Sequence, residues 1–295
     1  MSFTWQGVGS ERPDDAAEPT PPRDAAASAL DVDASALDVD AVLRRIGITH
    51  PPAPSAEALA LLQRAWVGAI PFENLDVVLG RPIRLGLPAI EDKLVHRGRG
   101  GYCLEHVPLF VALLRALGWE AHQALASMTG LETQHAPPTH ATAIVRLGGE
   151  QWMADVGFGG GPLLPLPLRD GAEVGGDGTW AHRLVRRGDR WQQQTWRKGG
   201  WTPTHATTAE PATAPAIAEA NRWVSTDPAS LFVGRAVLMR VTEHERTVLV
   251  DRELRVARPG TAEETRRTLD PDERITEIVE GFGVALDDDE RAALR

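Results

Sequence analysis

The sequence predicts an α+β protein with a helical start, a β-rich middle and a mixed C-terminal region. Three observations carry this. Apolar residues recur at helical spacing between Asp38 and Leu117, short alternating segments follow Gly118, and helical spacing returns near the C-terminus. A chain of 295 residues is long enough for a sizeable core and about two or three subdomains.

Residues 1–37 are rich in Ala, Pro, Asp and Ser and include the near-duplicate SALDVDASALDVD. Low hydrophobicity with high charge predicts a mobile acidic extension that cannot offset its ordering entropy. A helical bundle is expected over 38–117. DVDAVLRRIG puts Val39, Val42, Leu43 and Ile46 at helical spacing, with Gly47 as a stop. In the second helix Ser55 is the N-cap, and Leu59, Leu61, Leu62 and Trp66 supply the apolar face. A third helix is predicted from Cys103 to about Leu117, ended by Gly118.

Residues 118–215 read as β-rich. EAHQALASM, HATAIVRL and QWMADVGF alternate like strands, with LGGE as a turn, and HRLVRRGDRWQQQTW forms a hairpin at Gly188–Asp189. Over 216–295, ASLFVGRAVLMRVTEHERTVLVDRELRVA adds strands. DPDERITEIVEGFGVAL returns to a helix with Ile275, Ile278 and Val279 on one side.

Composition narrows the function. The net charge is −10, of which −7 lies in residues 1–40, where nine acids face Arg12 and Arg23. The body is near balance, so neither a nucleic-acid footprint nor a membrane partner is expected. No run of apolar residues has membrane-spanning length, and the N-terminal residues carry no secretory pattern, which makes the cytoplasm the expected location. The single cysteine, Cys103, excludes an internal disulfide and a multi-Cys metal site. His135 and His140 in HAPPTH have zinc-like spacing but no second ligand pair, so no metal is expected. Trp180, Trp191, Trp196 and Trp201 read as packing on sheet surfaces.

Cys103 sits in HRGRGGYCLEH, where Gly98, Gly100 and Gly101 turn the backbone just before an apolar helix opens. A sulfur at a helix N-terminus faces the positive end of the dipole and unpaired N–H groups, a setting that suits a nucleophile. A buried structural cysteine has no need of that setting. Such a nucleophile requires a base and an orienting acid. His140 opens one strand and Asp155 ends another, so strands joined through LGGE would bring the two to one sheet edge. Taken singly, each could be an ordinary edge histidine or a turn-forming aspartate.

Several motifs resemble the arylamine N-acetyltransferase family. RGGYCLE is similar to its cysteine signature, PFENLDV at 71–77 to the motif before it, THATAIV to the histidine strand and DVGFGG to the aspartate strand. WVSTDPASLF at 223–232 and the late FGVAL fit its C-terminal pattern, in the family's order, from about Asp38 onward. The resemblance implies a helical bundle, a central β-barrel-like domain and a C-terminal α/β lid, with the triad arranged as in cysteine proteases. It implies that Cys103 is the nucleophile, His140 the base and Asp155 the orienting residue. Arg99 and Glu73 match a structural ion pair, and Phe72 and Phe232 match the aryl pocket. Gly157, Gly159, Gly160 and Gly161 are candidates for contact with coenzyme A, although a plain glycine turn explains them equally.

The implied activity moves an acetyl group from acetyl-CoA, a co-substrate and not a resident cofactor, to an arylamine, arylhydrazine or N-hydroxyarylamine. Val107, Val42 and Trp66 stand where the family commonly has Asn, Tyr and His, which bears on substrate shape. Two alternatives stay open: an amide synthase of the same fold acting on a carrier-bound polyketide thioester, and a non-catalytic binding protein. The oligomeric state is open as well.

Overall fold

The structure is a computed structural model that describes residues 37–129, 137–176, 178–261 and 263–295. The expected acidic extension lies outside these residues except at Leu37, which is buried. The helical start holds α1 (Val39–Arg45), capped by Asp38 on the Ala41 N–H, and α2 (Ala56–Ala69), capped by Ser55 on the Ala58 N–H. Leu59, Leu62 and Trp66 are fully buried on α2, but Leu61 is 48% exposed. Positions 59, 62 and 66 share one helical stripe, whereas 61 lies about 200° around from 59. The apolar face expected there is therefore narrower by one leucine.

A two-residue strand, β1 (Phe72–Glu73), precedes two short helices, α3 (Leu75–Val78) and α4 (Leu87–Glu91). The latter runs on as a π-turn over Asp92–His96. Then comes α5 (Cys103–Ala116), close to its predicted bounds, whose face packs on the next two strands.

Those strands are β2 (Glu120–Met128) and β3 (His140–Leu147), followed by β4 (Glu150–Ala154), β5 (Leu166–Pro167) and β6 (Glu173–Val174). The hairpin of β7 (His182–Arg187) and β8 (Arg190–Arg197) turns where predicted, and β9 (Gly200–Thr207) completes the set. The eight strands form one antiparallel, nearly closed, barrel-like sheet in the order β5-β4-β3-β2-β9-β8-β7-β6. Strand β3 is buried on both faces. Ala141, Ala143 and Val145 join the helical core, while Ile144 joins Ala124, Met153 and Leu184 inside the barrel. By the same alternation His140 and Thr142 face the barrel interior.

Helix α6 (Ala214–Thr226) follows, capped by Thr213. Next come β10 (Val237–Val241), β11 (Arg246–Val250), β12 (Glu253–Ala257) and β13 (Glu264–Thr268). These strands form a second antiparallel sheet, completed by β1, which pairs Phe72 with Met239 and Glu73 with Leu238. At the C-terminus, α7 (Pro271–Thr276) continues as a π-turn through Gly281, and α8 (Asp288–Ala293) ends the chain. Ile275, Ile278 and Phe282 bury against Leu238 and Leu249 of the second sheet. Among the described residues no helix is long and apolar enough to cross a membrane.

Candidate active site

Cys103 is the first residue of α5 and is 3% exposed. The backbone ahead of it is held from three sides. Gly101 bridges to Phe72, the Glu73 N–H donates to the Gly101 carbonyl at 2.8 Å, and His106 Nε2 donates to the carbonyls of Gly101 (3.0 Å) and Pro71 (3.2 Å). The His106 tautomer follows from its other nitrogen, which accepts from the donor-only indole N–H of Trp66 at 2.9 Å. Burial pushes His106 down to about 4, so it is a neutral brace for the loop. Trp66, one of the departures from the family pattern, is thus the indole that fixes His106.

Beneath the loop lies a buried ion network. Arg99 binds Glu73 at 3.0–3.1 Å and Glu290 at 2.8 Å, with Asp76 Oδ1 at 3.4 Å. Lys93 binds Asp76 and Glu105, each at 2.8 Å, and Arg81 also reaches Glu290. Burial works against the charge on Lys93, but Glu105, Glu73 and Asp76 overcome it and push its pKa up. Glu105 also accepts from the Tyr102 N–H, so this carboxylate closes the first turn of α5 beside the sulfur. The expected Arg99–Glu73 pair is therefore one edge of a seven-residue lattice. A cavity of about 580 Å³ opens along this network, lined by Arg81, Arg84, Arg97 and Asp287 among others, and neither Cys103 nor His140 lines it.

His140 and Asp155 come together as the LGGE turn requires, since β3 and β4 pair antiparallel from Leu147↔Glu150 to Ala143↔Ala154. The imidazole Nε2 donates to Asp155 Oδ1 at 3.1 Å and Oδ2 at 3.2 Å, and both side chains are buried. The Gly157 N–H adds a bond to Oδ1 at 3.3 Å. Burial alone lowers the His140 pKa. The Asp155 charge and hydrogen bond, followed by a hydrogen bond with Cys103, outweigh it and raise the value to about 10. Asp155 is held below the usual carboxylate range, because the His140 charge outweighs its own burial. With Nε2 committed to the carboxylate, Nδ1 is the nitrogen left for sulfur. The thiol also donates weakly to the Thr139 carbonyl at 3.6 Å.

Gly157 packs so closely on Cys103 that a Cβ there would lie 2.9 Å from the Cys103 Cα and Cβ. Gly159 has φ +74° and lies against the Phe72 side chain, where an added Cβ would come within 2.8 Å of the Phe72 Cβ. Gly160 and Gly161 are buried, and Gly159 is partly exposed. Phe72 and Phe232 pack together at 5.7 Å between ring centroids, with Tyr102 6.3 Å from Phe232.

Two aromatic neighbours of His140 escaped sequence reasoning. Phe158 meets its ring edge-on at 5.4 Å, and His205 lies 4.6 Å from it. The signal for His205 was available: the tetrapeptide THAT occurs twice, at 139–142 and at 204–207. The two copies lie on β3 and β9, the two neighbours of β2.

His140, Asp155 and His205 bring ligand atoms within 4.8 Å of one another, a set that could hold a metal ion. His140 Nε2 already donates to both Asp155 oxygens, so a metal at this set would have to displace that proton and break both bonds. The geometry favours proton chemistry at this cluster.

Residues 55–291 match the N-acetyltransferase family model. The arylamine N-acetyltransferase of Mycolicibacterium smegmatis is 35% identical over 83% of this chain and 91% of its own length. Among solved structures, the arylamine N-acetyltransferase of Mycobacterium abscessus superposes with a TM-score of 0.83 at 34% identity, covering 93% of this chain and 98% of that one. That of Mycobacterium marinum, solved in complex with CoA, gives 0.79 at 30% identity over 87% and 97% of the two chains. With four motifs in order and the fold shared nearly end to end, the chain belongs to the arylamine N-acetyltransferase family.

Proposed function

We propose that this protein transfers the acetyl group of acetyl-CoA to the nitrogen of an arylamine, arylhydrazine or N-hydroxyarylamine, in two steps through an acetyl-Cys103 intermediate. The observation that carries the reading is a thiol at the start of α5 in contact with a buried imidazole that is itself held by a carboxylate. In the first step His140 Nδ1 takes the Cys103 thiol proton as the sulfur attacks the thioester carbonyl, the C–S bond to CoA breaks, and that proton passes on to the departing CoA sulfur. In the second, the amine attacks the acetyl carbonyl, His140 takes its proton, and Cys103 leaves. Backbone N–H groups in the first turn of α5 stabilise the oxyanion in both steps.

In this reading 38–117 supplies the nucleophile, 118–215 the base and acid, and 216–295 covers the site from above. The aryl group rests against Phe72 and Phe232. The pantetheine arm passes along Gly157–Gly161, where backbone without side chains permits close approach to the sulfur. The reaction takes place in the cytoplasm.

Mass spectrometry after brief exposure to acetyl-CoA without acceptor tests this. One added acetyl group is expected, absent in Cys103→Ala and discharged by an arylamine. No adduct on folded protein would overturn the reading and direct attention to carrier-bound thioesters.

A further inference from the structure

We infer that His205 is a positioning residue for this reaction, bracing the Asp155 carboxylate on the flank that His140 leaves open. The inference rests on the Cys103–His140–Asp155 reading. His205 is fully buried on β9, with its ring 4.6 Å from His140 and 5.5 Å from Phe158. Its Nε2 stops 3.6 Å from Asp155 Oδ2, and neither ring nitrogen reaches a hydrogen-bond partner among the described residues. Buried polar atoms are nearly always paired, so two orphans on one ring beside a catalytic carboxylate require an account.

The strand register supplies it. Across β2, His140 sits opposite Ala126 and His205 opposite Met128, on the same face by the two-residue alternation. The two rings lie 4.6 Å apart, and both bring their Nε2 to the Asp155 carboxylate. A rotation of a few tenths of an ångström at Nε2 converts the 3.6 Å approach into a hydrogen bond, and catalytic hydrogen bonds are often long before substrate binds. His140 approaches both carboxylate oxygens, and His205 approaches Oδ2.

The role requires His205 to be uncharged, since a second imidazolium would compete with His140 for the same anion. Burial, and then the His140 charge, lower its pKa to about 3. The ionisable groups that act on it are His140 from β3 and Asp155 after β4, and it acts in turn on His182 of β7, itself lowered to about 3. Gln193, opposite His205 in register, also has both amide atoms unpaired.

The experiment compares His205→Phe, which keeps the ring volume, with His205→Gln, which keeps an N–H donor, and uses Asp155→Asn as control. The first readout is the pH profile of Cys103 alkylation by iodoacetamide, which needs no acetyl-CoA. The second is single-turnover acetylation. His205→Phe is expected to shift the alkylation profile to higher pH and slow acetylation about tenfold with KM for acetyl-CoA little changed. That factor corresponds to about 1.4 kcal/mol. His205→Gln is expected to recover most of the loss. A folded His205→Phe variant with the native profile would overturn the inference while Asp155→Asn still shifts it. If Asp155→Asn also leaves the profile unchanged, the triad reading itself fails.

A measurement on the unaltered protein covers a variant that does not fold. Nitrogen-detected NMR of the histidine rings is expected to show His205 neutral with its proton on Nε2. A proton on Nδ1 alone would overturn the inference.

Discussion

At the scale of single residues, the His140–Asp155 pair behaves as an ion pair in the dark interior of a barrel. A surface pair of the same kind contributes little, but here both groups are shielded and each shifts the other. The consequence is a pH window. His140 is raised from 6.5 to about 10, so its contribution to stability is full below 6.5 and is lost as pH rises through 10. Asp155 is depressed from 3.8, so its contribution is full above 3.8 and is lost as pH falls through its lowered value. Both contributions are complete between 3.8 and 6.5. Thermal unfolding of the native protein and His140→Gln across pH 4–10 is therefore expected to show the largest gap in midpoint at the acidic end, closing towards 10. A gap that stays constant with pH would contradict this account of the pair.

At the scale of elements, the active site is made where a helix start meets a strand end, and the contact distance is set by a missing side chain. The segment after β4 crosses α5 at Gly157 without room for a methyl group, since Val107 Cγ2 would be 3.1 Å from it as well as the Cys103 atoms at 2.9 Å. Val107, a departure from the family pattern, is therefore part of this close contact. Gly157→Ala is expected to push α5 away from Asp155 and His140. The overpacking should cost about 1–3 kcal/mol of stability. A displacement of about 1 Å at the reacting atoms costs about 100-fold in rate. Stopped-flow acetylation together with thermal unfolding checks both, and a rate within threefold of native would show that the loop is not what sets the sulfur's position. The two π-turns, after α4 and after α7, widen helix ends that bury Leu94 and Ile278. Periodicity at 3.6 residues predicts neither turn.

At the scale of the whole molecule, what the sequence showed was local and what it hid was long-range. α5 and the β7–β8 hairpin were legible because caps, glycines and alternation are encoded within a few residues. Helix α6 was missed because only Ile217, Ala220 and Val224 bury on it, behind a Pro-rich entry. The pairing of Phe72 with Met239, and the position of His205 beside His140, depend on strand orders that no local pattern specifies. Cys103, His140 and Asp155 are legible as candidates because each lies in its own short motif; His205 comes beside them only after β9 has paired with β2. The ion lattice is the long-range feature with the clearest energetic consequence. Arg99 joins Glu73 of β1, Asp76 of α3 and Glu290 of α8, so one guanidinium ties the loop before Cys103 to the C-terminal helix. Burial lowers its pKa, and the three carboxylates outweigh that and raise it. Arg99→Leu would leave Glu73, still held by the Leu75 N–H, without its direct ion-pair partner in a fully buried site, at a cost of about 3–5 kcal/mol. Lys93 and Arg81 still answer Asp76 and Glu290, which keeps the loss from growing further. Replacing Glu73 by Leu in the same chain removes the stranded charge, so the double variant is expected to regain more than half of the loss in urea unfolding. A double variant no more stable than Arg99→Leu would mean that the lattice holds the loop by geometry and not by charge balance.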